Sequence, residues 1–162
     1  MEKIARSFEV GLQQSGITTL CINVADVDPD SLNGYDLIAV GAPTEITTAP
    51  KPIKEFLSRL EGRDFRRKYG FAFDIKLDIP MTGSAANYIE KKLKDLGLVI
   101  LSEKASALVV PLKKNEIQLK EWVHEEYFPF KGEEQKRFEE IGEQLGAAFL
   151  KKMDEKRLIH AQ

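Results

Sequence analysis

The chain has 162 residues, of which 43% are hydrophobic and 31% charged, with a formal net charge of -2. These values predict one globular domain over residues 1–162, without a general attraction to nucleic acid or to an anionic membrane. The apolar runs are too short to span a bilayer, no signal-peptide pattern opens the chain, and a single cysteine is typical of a reducing cytoplasm.

The first predicted element is a helix in "MEKIARSFEVGLQQSG", where apolar residues recur every four positions and Gly16 is placed to end it. A strand is predicted over 17–24, which is rich in β-branched residues, and a turn follows over 25–34. The next strand, 35–43, is apolar along nearly its whole length, as expected of a strand covered on both faces.

The second half continues the alternation of helices and strands. Ile53, Phe56, Leu57 and Leu60 predict an amphipathic helix, which precedes a strand over 69–75. Three further elements are predicted: a helix over 85–97 with Ser84 as its N-cap, one strand or a broken pair over 98–111, and a last helix over 132–153 before a frayed tail, 154–162. Such alternation predicts an α/β fold with a parallel sheet.

Two loops are longer than a strand-to-helix turn requires, namely 41–52 and 73–84. Both follow predicted parallel strands. Ligands of such sheets bind beyond the carboxyl ends of the strands, so we expect these two loops to form a binding site.

Three segments together resemble the flavodoxin family: "YDLIAVGAPTEITTAPKPIKEFLSRL", "YGFAFDIK" and "TGSAANYIEKKLKDLGLVI". The resemblance covers residues 2–111 and includes the last helix. It implies a three-layer flavodoxin-like sandwich with a parallel sheet. In the family, a first, central strand and a hydroxyl- and glycine-rich loop for the FMN phosphate precede the helix that opens this chain, and both are absent here.

The resemblance also implies an FMN cofactor, held without a covalent bond, that exchanges electrons with redox partner proteins. It places two groups of residues against the flavin ring: Pro43, Thr44, Glu45 and Ile46 in one loop, and Phe73, Asp74, Ile75 and Lys76 in the other. The family often stacks an aromatic residue on the ring, whereas here only aliphatic residues, Ile46, Ile75 and Leu77, are available. Glu45 would disfavour negative charge on the reduced ring if it pointed inward; the alternative is that it is solvated.

A gap in the centre of a sheet would leave facing backbone groups unpaired, which is too costly to be stable. Three outcomes follow: 17–24 pairs directly with 35–41, a partner chain shares a strand in a homodimer, or Met1 is an internal methionine of a longer protein. We favour the last. The start of the first helix keeps weak anion-binding capacity through its free N–H groups, Lys3 and the α-amino group.

Other candidate residues have simpler interpretations. Cys21 is expected to be a small buried apolar residue, and His124 and His160 lack partners at metal-ligand spacing. The aromatic stretch 122–130 is expected to pack across the end of the sheet; the alternatives are a cap on the flavin or a partner surface. The basic stretch 61–70 is expected to be solvated, or else to dock an acidic redox partner.

The sequence therefore predicts an FMN-binding electron-transfer protein with an incomplete phosphate site and no catalytic residue. One alternative is a flavin-free interaction module on the same scaffold. A flavin-dependent quinone or NAD(P)H reductase is a weaker alternative, so enzymatic activity on a separate substrate stays open.

Overall fold

The computed structural model describes residues 1–111 and 129–161. Its helices and strands run in the order α1 (Glu2–Gln14), β1 (Leu37–Pro43), α2 (Lys51–Arg59), β2 (Tyr69–Leu77), α3 (Ala85–Asp95), β3 (Val99–Ile100), β4 (Ala105–Val109) and α4 (Glu134–His160). Two short 3-10 helices, Val24–Asp26 and Pro29–Gly34, lie between α1 and β1.

The strands form a parallel sheet, as the alternation predicts. Along one edge β2 pairs with β1; along the other it pairs with β3 near its start and with β4 near its end. The segment 98–111 is therefore the broken pair, since its two strands contact different parts of β2.

Helices cover both faces of this sheet and make it the middle of three layers. On one face α2 and α3 pack against Ile38, Val40 and Ala72. On the other face α1 and α4 pack against Phe71 and Phe73. Alternate residues of β2 thus enter opposite cores, so the strand is apolar throughout. This architecture confirms the predicted α/β sandwich.

Residues 17–24 are not a strand, so that prediction is wrong. Residues 17–23 belong to no helix or strand, Val24 begins a 3-10 helix, and the segment pairs with no strand in the part of the chain that the structure describes. Instead Glu9 accepts hydrogen bonds from the Thr19 hydroxyl and the Cys21 N–H, both at 3.1 Å. β-Branched residues favour a strand only where a neighbouring strand completes the ladder. Direct pairing of 17–24 with 35–41 is therefore also wrong, and Cys21 is half-buried rather than buried.

The last helix continues to His160, so the predicted frayed tail is helical as far as that residue. Side chains near its end contact the start of β2. The Lys156 ammonium donates to the Arg67 carbonyl at 3.1 Å and lies 4.5 Å from the centre of the Tyr69 ring. Phe149 meets the same ring edge-on. These contacts hold the final turns against the domain. Among the described residues, no helix is long and apolar enough to cross a membrane.

Candidate functional site

The carboxyl ends of β1 and β2 lie side by side, and the loops that follow them, 44–50 and 78–84, meet there. The Thr44 N–H continues the ladder by donating to the Ile75 carbonyl at 2.8 Å. Gly83 packs directly on the backbone of Thr47, where any Cβ would overlap the Thr47 carbonyl. The two predicted binding loops are therefore one contiguous surface, and only glycine fits at their contact.

The first loop contains a tight turn centred on Ile46 and Thr47. Glu45 and Thr48 exchange two backbone hydrogen bonds, of 2.9 and 3.0 Å, across this turn. Ile46 has a φ of +54°, and its side chain is 93% exposed. A β-branched residue at positive φ is strained, since this conformation is normally left to glycine or asparagine. Local strain is therefore combined with an exposed apolar side chain.

The second loop repeats this combination. Met81 has a φ of +62° and is fully exposed, and Ile79 is about half exposed. The loop is held at its start, where the Asp78 N–H donates to the Val109 carbonyl and the Asp78 carboxylate pairs with Lys131 at 2.6 Å. Apolar side chains thus project into solvent from both loops at the same edge of the sheet.

A buried carboxylate joins the two loops beneath this surface. Asp74 is fully buried, and its Oδ2 accepts hydrogen bonds from the Thr44 hydroxyl at 3.0 Å, the Ser84 hydroxyl at 2.6 Å and the Ala86 N–H at 3.0 Å. Thr44 Oγ1 in turn accepts from the Ala85 N–H at 2.9 Å. Ser84 is the N-cap of α3, as predicted. Across residues 1–111 and 129–161, Asp74 Oδ1 finds no hydrogen-bond partner.

Four predicted site residues, Phe73, Asp74, Ile75 and Lys76, lie inside β2 and not in a loop, so the predicted start of the second loop is wrong. The strand is longer than predicted because residues 73–77 pair with β4. Phe73 and Ile75 are buried in the core beneath α1 and α4. Their side chains are therefore taken up by packing, and Asp74 is directed towards α3.

The four site residues predicted in the first loop lie at or near the surface, at the carboxyl end of β1. Pro43, Glu45 and Ile46 are exposed and Thr44 is half-buried. The Glu45 side chain is at the surface, in line with the solvated alternative. An aliphatic cover exists at the edge, but Ile79 and Met81 accompany Ile46 in place of Ile75 and Leu77. Cofactor contact by the eight residues stays a prediction.

The sequence alone did not single out Ile79, Met81 and Gly83. The run "DIPMTGS" carried a local signal, because a proline and a glycine within a few residues of each other are typical of a turn. The contact of Gly83 with Thr47 depends on the sheet register, which the run does not encode.

The start of α1 lies over the same half of the sheet. A Cβ at Gly41 would overlap both the Phe73 ring and the Met1 side chain, so Met1 covers the carboxyl half of β1. Burial lowers the pKa of the Met1 α-amino group to about 6, and Lys3 stays exposed. The positive end of the α1 dipole and the exposed Lys3 side chain also lie at this helix start.

The remaining candidate residues that the structure describes do not contribute to this site. Within the described ranges no cluster of His, Cys, Asp and Glu could hold a metal; His160 is exposed on the last turn of α4, and His124 lies outside those ranges. Most of 122–130 is also outside them, but Phe130 bridges to Val109 and packs on the core. In 61–70, Arg63 pairs with Asp30 and Arg66 with Asp64 at the surface.

No family model and no curated protein matches this chain in sequence. Solved structures do match. A flavodoxin from the domain Archaea aligns with a TM-score of 0.69 and 18% identity, over 90% of this chain and 87% of that one. A two-electron reduced flavodoxin from Megasphaera elsdenii aligns with a TM-score of 0.57 and 16% identity, over 88% and 90%. The Flv1 flavodiiron core from Synechocystis sp. PCC6803 aligns with a TM-score of 0.65 and 18% identity, over 91% of this chain and 32% of that one.

Proposed function

We propose that this chain, whose fold is flavodoxin-like, binds FMN at the carboxyl edge of its sheet and serves as an electron-transfer protein for redox partner proteins. The observation that carries the proposal is the pair of exposed apolar residues, Ile46 and Met81, each at positive φ on touching loops. Strained backbone and exposed apolar surface rarely coincide without a ligand or partner to offset their cost.

The loops suit the flavin ring in chemistry and position. An isoalloxazine ring is planar and largely apolar, so it needs apolar side chains at its faces and polar backbone groups at its edge. Ile46, Ile79 and Met81 would provide the apolar contact, and the backbone of both loops would provide the polar one. The edge lies beyond the carboxyl ends of parallel strands, where such sheets bind ligands.

The phosphate of FMN has fewer protein groups to bind it than the flavin ring has. We propose that it sits at the start of α1, near the N–H groups of the first turn and Lys3. The side chains of this chain would bind the ring, orient it and exclude water from one face. Bound FMN would supply the reversible electron chemistry, so no residue is required as an acid or base.

A titration of the purified chain with FMN tests the proposal. We expect saturable quenching of flavin fluorescence, and binding of riboflavin within about tenfold of FMN because the phosphate site is weak. Met81→Glu should weaken binding by about tenfold, since it brings negative charge and removes apolar contact. The matched control is Val99→Glu, which changes an exposed apolar residue beside the start of β2, at the opposite end of the sheet.

Two results would contradict the proposal: no saturable binding by the wild type, or equal effects of both substitutions. Electron transfer is tested separately, by reducing the bound flavin and following its reoxidation by an added electron acceptor. A complex that binds FMN but cannot be reduced and reoxidised repeatedly would contradict the carrier role.

A flavin-free interaction module is the second candidate. It is favoured by the outer edge of β1, which pairs with no strand among the described residues. An unpaired edge can accept a strand from another chain. Absence of FMN binding together with self-association or partner binding through β1 would support this alternative.

A further inference from the structure

We infer that Asp74 is a positioning residue that clamps the two loops of the proposed FMN site to each other and to the start of α3. The inference rests on the proposed function for its effect on FMN affinity, whereas its effect on loop order is independent of it.

One oxygen of Asp74 accepts hydrogen bonds from three residues, Thr44 in the first loop and Ser84 and Ala86 where the second loop enters α3. This oxygen is Oδ2, and the donors are the Thr44 and Ser84 hydroxyls and the Ala86 N–H. Thr44 also accepts from the Ala85 N–H, so the first loop is bonded to the helix start directly and, through Asp74, indirectly. Losing the carboxylate would release all three residues together.

The chemistry of the site favours a carboxylate over an apolar residue. The first N–H groups of a helix have no partner within the helix, and they attract negative charge. Asp74 and Ser84 satisfy two of these groups and Thr44 a third. Because Asp74 is fully buried, water does not compete for its hydrogen bonds, and their loss is costly.

The clamp lies directly below the strained surface. Thr44 immediately precedes the 45–48 turn, and Ser84 immediately follows Gly83, which packs on Thr47. A strained turn such as that at Ile46 persists only where its surroundings hold it. Asp74 supplies that restraint from beneath, at a position where the sequence resemblance implied contact with the ring.

Asp74→Ala and Asp74→Asn separate the clamp from simple filling of space. Asparagine keeps the size of the side chain, but its amide oxygen has two lone pairs and so retains at most two of the three bonds, and its NH2 group takes the place of Oδ1. We expect Asp74→Ala to speed amide hydrogen exchange at Glu45 and Thr48 by about tenfold or more, and Asp74→Asn, which keeps part of the network, to speed it by about threefold, between wild type and alanine. FMN affinity should follow the same order.

Amides at the centre of β2 report whether the whole domain has loosened. The clamp requires exchange to rise in the 45–48 turn more than in β2, which a general loss of stability would not produce. Asp95→Ala, at the far end of α3, is the matched control and should leave both readouts unchanged. If Asp74→Ala does not fold, Thr44→Val removes one donor and one acceptor from the same network and should speed exchange in the turn by about threefold or more.

Two results would overturn the clamp. One is an unchanged exchange rate at Glu45 and Thr48 in Asp74→Ala, or in Thr44→Val where that variant is used. The other is an exchange rate in Asp74→Asn that is raised as much as in Asp74→Ala. If the wild type binds no FMN, the proposed function fails while the exchange experiment still tests the clamp. If the wild type binds FMN and Asp74→Ala binds equally well with a loosened turn, the clamp stands as a structural device and its role in binding is overturned.

Discussion

Ile46 combines two unfavourable features in one residue: its backbone adopts a conformation that suits glycine, and its apolar side chain is almost wholly in water. Left-handed conformations cost non-glycine residues on the order of 1–2 kcal/mol. A residue that lowers stability without contributing to packing is a candidate for a role in binding, and this reasoning connects Ile46 to the proposed flavin contact.

A substitution at Ile46 can separate its effect on stability from its effect on binding. We expect Ile46→Gly to raise the free energy of unfolding of the FMN-free chain by about 1 kcal/mol, because relief of strain exceeds the added entropy of the unfolded state. The same variant should bind FMN more weakly than wild type by about tenfold. Urea unfolding and an FMN titration measure the two effects.

Ile79→Gly is the control, since Ile79 is also exposed in a contacting loop but is not at positive φ. It should lower stability slightly, because glycine relieves no strain there. A loss of stability in Ile46→Gly equal to that in Ile79→Gly would contradict the assignment of strain.

At the scale of elements, the backbones of α1 and α4 meet directly because glycines lie at their contact. A Cβ at Gly142 would overlap the Phe8 carbonyl, and one at Gly11 would overlap the Glu139 carbonyl. Around this contact Phe8, Phe71, Phe73 and Phe138 form a continuous aromatic cluster. The position of α1, and with it the helix start beside the proposed phosphate site, depends on these two glycines.

We expect Gly142→Ala to destabilise the domain by about 3 kcal/mol, because its methyl group cannot enter without moving one helix from the other. Gly132→Ala is the control, since a Cβ at Gly132 meets nothing within 4 Å. Urea unfolding of both variants decides the matter, and equal midpoints would show that the helices separate without cost.

At the scale of the whole molecule, the outer edge of β1 has backbone N–H and C=O groups that no strand among the described residues pairs with. The Asp36 carbonyl and the Thr44 N–H bond to residues of β2, so by alternation Leu37, Ala39 and Gly41 direct their backbone groups to the other side. Across the described ranges no strand meets that side, and the segment 17–23, which forms no strand, leaves Leu20 and Ile22 exposed. Unpaired edges of this kind recruit further strands.

We therefore expect the isolated chain to self-associate as its concentration rises, and Ala39→Lys to shift it towards the monomer. Lysine on an edge strand opposes pairing through its charge and its solvation. Size-exclusion chromatography with light scattering gives the mass of each species. Val10→Lys, on an exposed position of α1, is the control and should associate like wild type. A wild type that stays monomeric at high concentration would contradict this prediction.

The sequence alone predicted those features that depend on local spacing. Four-residue periodicity located α1 and α4, and short apolar runs located β1 and β2. The Ser84 N-cap marked the start of α3. These assignments agree with the structure because helix faces and caps depend on residues within a few positions of one another. The alternation of elements was sufficient to predict the parallel sheet, and the resemblance to the flavodoxin family implied its three layers.

Only the tertiary structure decided what depends on distant neighbours. Residues 17–24 have the composition of a strand but lack a ladder partner, and β2 extends to Leu77 because β4 lies beside it. The direction of Asp74, the contact of Gly83 with Thr47 and the joining of two loops into one apolar surface likewise follow from register and close packing. Pairing and packing join residues far apart in the chain, so no local pattern encodes them.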